Sequence, residues 1–320
     1  MAASVSKTEH KPRDIIFRNY SFEQASNYAE GRLGYSDNLI EFVLKQHSST
    51  GGQNGVVLDA GCGPGLATRM LAPHFDVAYG ADPGNSMIEK AKQIGGSSKA
   101  GTQIVYKMSS AEEVDKIDGL DHSSVDLITA ATAAHWFEMP KFWEAAAKLL
   151  KPGGTVAIWT VFRKSDTFGD NKVQALIEDL RENVLAPYNS EGSQLTHDGY
   201  VNLVMPWDDP ATASLYDRQS STRHELSAKD GYFPKTYMMD SKPSDIPLDE
   251  ALQRFDKLVN SFGAVNRWQQ ANPELIGTKD DIVRILMNKL REAAEENAGS
   301  LDLSSLAERF AIAVIIVKRV

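Results

Sequence analysis

A strand that runs directly into three alternating glycines constrains this chain more than any other stretch. Val56-Val57-Leu58-Asp59-Ala60 is a compact apolar run, Gly61-Cys62-Gly63-Pro64-Gly65 follows it, and Leu66-Ala67-Thr68 opens a helical pattern. Lacking a Cβ, glycine accepts positive φ and lets the backbone come close to a bound group, while free N–H groups at a helix start favour anions and carboxylates. Both properties suit a nucleotide-like cofactor lying across the turn. The dinucleotide fingerprint G-x-G-x-x-G needs a third glycine where this chain has Leu66, which counts against NAD. A second apolar run ends at Ala81-Asp82, about 20 residues beyond the first glycine, where a carboxylate can accept both hydroxyls of a ribose. An adenosine is therefore implied.

Short β-rich runs alternate with helical patterns from Gly55 to Thr160, the signature of βαβ units and a largely parallel sheet. The strands are read as Val56 to Ala60, Val77 to Ala81, Gln103 to Lys107, Val125 to Ala130 and Thr155 to Trp159. Helical spacing covers Ala67 to Ala72, Asn85 to Gln93 and Lys141 to Leu150, with Lys151-Pro152-Gly153-Gly154 as a helix stop. Ser36-Asp37 can cap a preceding helix with the apolar stripe Leu39, Ile40, Val43 and Leu44. Phe162 to Pro247 is rich in Asp, Ser, Tyr and Pro and reads as an insertion, with one amphipathic stretch around Val173 to Val184. Helical patterns return at Leu248 to Val259 and Lys279 to Glu295, and the β-branched run Phe310 to Lys318 reads as a buried strand.

Charge and cysteine content narrow the function. With 34 Lys and Arg against 43 Asp and Glu, the net charge of −9 disfavours phosphate backbones, so nucleic acid is not the expected partner. The single cysteine, Cys62, excludes an intramolecular disulfide framework and a multi-cysteine zinc site, and points to a reducing, cytoplasmic compartment. No apolar run approaches the roughly 18 to 20 residues that span a bilayer. Residues 1–19, polar at Met1 to Lys11, are expected to form a disordered tail without a secretory signal.

Asp59-Ala60-Gly61-Cys62-Gly63-Pro64-Gly65 matches the acidic-x-G-x-G-x-G motif, and the chain resembles class I S-adenosylmethionine-dependent methyltransferases. Within them it is most similar to the small-molecule branch that includes fungal trans-aconitate methyltransferases. The likeness rests on Tyr28-Ala29-Glu30-Gly31-Arg32 with Tyr35, on Ala134-His135-Trp136-Phe137, and on Leu150-Lys151-Pro152-Gly153-Gly154, and it covers residues 20–160. The resemblance implies an α/β fold with a seven-stranded, mostly parallel sheet, helices on both faces, and a cap inserted after strand five. It implies one domain over residues 20–320, with a cofactor core at 36–160, a cap at 161–277, and a closing helix and antiparallel strand at 278–320.

The resemblance also assigns roles. Asp59 would orient the loop and the methionine amino group, Gly61, Cys62, Gly63 and Gly65 would carry the cofactor, and Asp82 would hold the ribose. Met87 would pack on the adenine, Ser110, Ala111 and Glu112 would cradle its edge, and Ala131 would face the methionine end. From the residues themselves, Tyr28 of the N-terminal segment is a candidate pocket residue at the cofactor, and Arg32 is a candidate partner, through its planar fork, for a carboxylate on cofactor or substrate. Tyr35, Trp136, Phe137, Arg267 and Trp268 are candidate substrate contacts, and His135 is the candidate base, each weighed against a role in the core. Cys62 is assigned no catalysis, and no metal is expected. The implied reaction is in-line methyl transfer to an oxygen of a small metabolite of secondary metabolism, in a monomer or homodimer. The alternatives are a bulkier nitrogen or sulfur acceptor, a fold that binds the cofactor without methylating, as a cyclase or regulatory module, and an NAD-dependent oxidoreductase.

Overall fold

The computed structural model describes residues 17–32, 34–164, 172–227, 230–233, 247–296 and 310–320. Its sheet has seven strands: β1 (Val56–Ala60), β2 (Val77–Asp82), β3 (Val105–Met108), β4 (Val125–Ala131), β5 (Leu150–Arg163), β6 (Tyr216–Ser227) and β7 (Phe310–Arg319). Their order is β3-β2-β1-β4-β5-β7-β6. The first five are mutually parallel, and β7 runs antiparallel between β5 and β6. This is the α/β class the sequence pattern implied and the strand count the resemblance implied.

The central strands are apolar on both faces because helices cover both. Alternate residues Val57, Leu127, Ala157 and Val314 pack with Leu39, Ile40 and Val43 of helix α2 (Asp37–Ser49) and Leu71 of α3 (Leu66–Leu71). Their neighbours Leu58, Ile128, Ile158 and Ile315 pack on the other side with Phe142, Trp143 and Leu149 of α5 (Met139–Leu149). Helix α4 (Asn85–Ile94) follows β2, and α1 (Phe22–Gly31) precedes α2, whose Ser36 cap accepts a 3.1 Å hydrogen bond from the Leu39 N–H. A separate cluster joins α6 (Lys172–Asp179), α8 (Leu248–Asn260), α9 (Gly263–Ala271) and α10 (Ile282–Glu296) around Phe255, Val259, Trp268 and Leu286. Helix α7 (Glu191–His197) lies between α6 and β6 in sequence.

The departures from the sequence reading have local causes. Strand β6 lies within the stretch read as an insertion, and its segment Arg218-Gln219-Ser220-Ser221-Thr222-Arg223 carries no apolar signal. It is an edge strand with β7 as its one neighbour, so most of its side chains meet water rather than a second layer. Strand β5 begins at Leu150 instead of Thr155, because Lys151-Pro152-Gly153-Gly154 forms an irregularity inside the strand: Leu150 pairs with Val125 and Thr155 with Leu127. Gly153 takes a φ of 75° there. Strand β3 starts at Val105, helix α10 at Ile282, and α6 ends at Asp179 before a π-helical turn, Leu180–Val184. Phe17–Asn19 form a 3₁₀ turn within the expected tail, whose residues 1–16 lie outside the described residues.

One buried carboxylate secures this irregularity. Asp126, 3% exposed, accepts hydrogen bonds from Lys151 Nζ at 2.8 and 2.9 Å and from the Val56 N–H at 2.8 Å, tying the start of β1 to β4 and β5. Replacing Asp126 with Ala leaves the Val56 N–H without that acceptor and should cost about 1 to 3 kcal/mol of stability. The check is a lowered denaturant midpoint with an unchanged m-value.

Candidate active site at the β1–β4 switch point

The sheet order reverses beside β1: the chain passes from β1 to β2 and β3 on one side, then returns to β4 and β5 on the other. Loops leaving the carboxyl ends of β1 and β4 therefore diverge, and a ligand crevice opens between them. A cleft of about 880 Å³ of empty volume, its open mouth included, lies there.

Its floor is the glycine loop. Gly61 has a φ of 66°, and a Cβ on it would stand 2.6 Å from Ala133 Cβ and 3.1 Å from the Phe137 ring, so only glycine lets the loop seat against the turn after β4. Gly63 has a φ of 53° and no atom within 4 Å of where its Cβ would be; it faces free space in the cleft. The loop is pinned to β2 by the Cys62 N–H, which donates to Ala81 O at 3.0 Å, and by the Gly63 N–H, which donates to Asp82 Oδ2 at 2.9 Å. Asp82 Oδ1 accepts from the Gly84 N–H at 2.8 Å, so both oxygens are fixed with lone pairs to spare. Burial pushes the Asp82 carboxyl pKa up, partly offset by those two N–H donors.

Asp82, Met87, Ala111 and Glu112 line the β2–β3 side of the cleft, and Ala131, Trp136 and Phe137 line the β4 side. Tyr28, Tyr35, Gly61, Cys62 and Gly63 also line it. Six expected cofactor or substrate contacts, Asp59 among them, and the expected base lie elsewhere. Gly65 begins α3, pressed against Tyr106, and Ser110 precedes the 3₁₀ turn Ala111–Lys116. Arg32 stacks over the Tyr28 ring at 4.7 Å and donates to Ser261 O at 3.1 Å, bridging α1 to α8. On α9, Arg267 donates to Tyr188 O and Trp268 is buried in the cluster of α6, α8, α9 and α10, so the aromatic and cationic character read as a pocket serves the packing of those helices.

His135 is 5% exposed, shares a 2.7 Å hydrogen bond through Nδ1 with the Tyr200 hydroxyl, and is absent from the lining. Burial, with a contribution from Arg32, pushes its pKa down to about 3. Such an imidazole is neutral at pH 7 and a poor proton acceptor, which removes the ground for a base role. Asp59 likewise points inward: Oδ2 accepts from Thr68 Oγ1 and Oδ1 from Thr129 Oγ1, both at 2.7 Å, and burial raises its pKa to about 6.

Arg18, Pro83 and Thr132 line the cleft without having been singled out. Pro83 and Thr132 are chain neighbours of Asp82 and Ala131, a signal that was available, whereas nothing in the sequence marked Arg18. Among the described residues no cluster of three His, Cys, Asp or Glu could hold a metal, and no helix is long and apolar enough to cross a membrane.

The free space at Gly63, the oriented Asp82 carboxylate and the apolar Met87 fit an adenosine-bearing cofactor. Residues 58–158 match the family model described as a methyltransferase domain. A Saccharomyces cerevisiae protein named as an S-adenosylmethionine-dependent methyltransferase is 25% identical over 86% of this chain and 89% of its own length. Residues 58–158 carry an S-adenosylmethionine-dependent methyltransferase domain. A Dictyostelium discoideum protein named as a methyltransferase is 34% identical over 42% of this chain, which spans 46% of that relative's length. The solved structure of an Anaeromyxobacter dehalogenans protein, titled a type II methyltransferase, superposes with a TM-score of 0.52 at 22% identity, covering 90% of this chain and 96% of that one, and shows the shared fold. S-adenosylmethionine is thus the cofactor of the methyltransferase domain.

Asp82→Ala should weaken S-adenosylmethionine binding by about 1.5 to 3 kcal/mol in calorimetry while the protein stays folded, the usual loss for a hydrogen bond to a charged group. His47, buried and hydrogen-bonded to Thr155 Oγ1 at 2.7 Å, also has its pKa lowered by burial. Because His47 and His135 bind protons more weakly folded than unfolded, their contribution to stability is complete above the unfolded value near ~6.5 and is lost as pH falls through the window below it. His135→Gln should flatten the slope of stability against pH between about 4 and 6 by up to about 1.4 kcal/mol per pH unit, read from urea midpoints.

Proposed function

We infer that the protein transfers a methyl group to an oxygen of a small metabolite, with an already ionised carboxylate as the favoured acceptor. The observation that carries this is the absence of a histidine from the cleft lining among the described residues, with His135 buried behind it. A carboxylate is ionised near pH 7 and needs no base, whereas a phenol or an amine gains from one.

When bound, S-adenosylmethionine supplies an electrophilic methyl whose bond to sulfur breaks, its electron pair staying on sulfur, as an acceptor lone pair forms the new bond. The protein's work is alignment. Asp82 and the glycine loop fix the nucleoside end, which leaves the β4 side for the reacting end. There Tyr28, Tyr35, Trp136 and Phe137 wall the cleft with aromatic surface that excludes water, and holding the acceptor atom near ~3 Å from the methyl supplies most of the acceleration. The Tyr35 hydroxyl is a poor acid, since burial pushes its pKa up, so it orients by hydrogen bonding and does not donate a proton outright. The resemblance to trans-aconitate methyltransferases supports an acid acceptor. We place the enzyme in the cytoplasm, as a monomer or homodimer acting in secondary metabolism.

Incubation with methyl-labelled S-adenosylmethionine and matched panels of carboxylic acids, phenols and amines tests the reading. Base-labile label, released as methanol, is expected with an acid, at a kcat that is flat from about pH 6 to 9. Base-stable label on a phenol or amine would overturn it. Tight cofactor binding with no S-adenosylhomocysteine formed from any panel would favour the non-methylating cyclase or binding module.

A further inference from the structure

Thr132, the first residue after β4, lies in the wall of the cleft with a φ of 52°. A β-branched residue in the left-handed region is a true outlier, and such strain persists where the surroundings impose it. Here they do: the Thr132 N–H donates to Trp159 O at 2.8 Å, and the next residue, Ala133, is locked against Gly61. Thr132 and the glycine loop line the same cleft. Tyr35, whose ring stands edge-on to Trp159 at 5.5 Å, directs its hydroxyl at the Thr132 side chain and donates to Thr132 Oγ1 at 3.4 Å.

Thr132 therefore accepts one hydrogen bond, while its own O–H has no acceptor among the described residues. A hydroxyl that accepts from another becomes a better donor, because a chain of hydrogen bonds polarises along its length. An uncommitted, polarised donor in a partly desolvated wall matches an anionic oxygen, and a charge-assisted bond of this kind is about twice as strong as a neutral one. It lies on the β4 side of the cleft, away from Asp82; with the ribose at Asp82, this wall is left for the amino-acid end of the cofactor and for the acceptor. We propose that the Tyr35–Thr132 hydroxyl pair is a carboxylate-binding subsite of the cleft, with Thr132 as the donor and Tyr35 as the residue that positions and polarises it. The carboxylate belongs either to the amino-acid end of the cofactor or to the acceptor; the second source rests on the function proposed above and the first does not.

Calorimetry with two nucleosides and one acid separates the sources. S-adenosylhomocysteine carries the amino-acid carboxylate and 5′-methylthioadenosine lacks it; trans-aconitate is titrated into the protein saturated with S-adenosylhomocysteine. If the cofactor's carboxylate is bound, Thr132→Val weakens S-adenosylhomocysteine at least tenfold and leaves 5′-methylthioadenosine within twofold. If the acceptor's is bound, both nucleosides stay within twofold and the trans-aconitate affinity falls at least tenfold. In either case Thr132→Ser, which keeps the hydroxyl, stays within threefold of wild type, and Tyr35→Phe shows a smaller loss for the same ligand, which also decides the matter should Thr132→Val fail to fold.

Equal weakening of both nucleosides would make Thr132 a framework residue and overturn the proposal. So would nucleoside affinities unchanged in Thr132→Val with no trans-aconitate bound by wild type, or a Thr132→Ser loss as large as that of Thr132→Val. A cofactor result stands even if no acid is methylated, so failure of the acceptor reading is recognised separately.

Discussion

Asp59 holds together the parts of the molecule that everything else uses. A carboxylate with no access to water is costly unless its oxygens are satisfied, and here each receives a hydroxyl, one from Thr68 on α3 and one from Thr129 on β4. Those two bonds join the strand before the glycine loop to the helix after it and to the strand across the switch point. The cleft's floor and far wall are thereby set relative to each other before a ligand arrives. Two neutral donors do not repay the whole loss of hydration, which is why the pKa stays raised. For a reaction whose rate depends on alignment, a preorganised pair of walls is the main asset the fold supplies.

How much of this the sequence disclosed follows the kind of signal each part carries. Buried strands such as Val125–Ala131 must be apolar on both faces, so they announce themselves. Strand β6 does not, because one edge and much of its surface face water and its polar residues read like a loop; only pairing with β7 makes it a strand. The glycine loop was legible because the backbone itself needs the missing Cβ at Gly61. Asp59 was legible as part of a motif, but not its direction: a carboxylate beside a cofactor loop reads as a ligand group, and the two threonines that capture it lie nine and seventy residues away in sequence. Strain at Thr132 has no sequence signature at all, since threonine is a poor choice for positive φ and the conformation is imposed by Trp159 and Gly61 from other elements.

His135 shows how one residue type changes meaning with burial. In a pocket, an imidazole beside Trp136 and Phe137 would be a base; under the turn Ala134–Trp136 it has lost most of its affinity for a proton. What it gains is Tyr200, which belongs to the stretch following β5. Gly192 of α7 presses on the same turn, where a Cβ would stand 2.9 Å from His135 O. The segment from α7 to Tyr200 is therefore moulded onto the back of the turn whose front presents Trp136 to the cleft.

That arrangement divides the labour along the chain. The β2–β3 side of the cleft is built within residues 61–112, from short-range motif geometry that the family model captures in large part. The β4 side is built from parts far apart in sequence: the N-terminal Tyr28 and Tyr35, the turn after β4, and behind it the His135–Tyr200 contact. Changes in the stretch after β5 can reach Trp136 through that contact without touching the glycine loop or Asp82. A change made there can reshape the β4 wall while the glycine loop and Asp82 stay in place, because the Gly63 and Gly84 N–H bonds that fix Asp82 do not pass through the His135–Tyr200 contact.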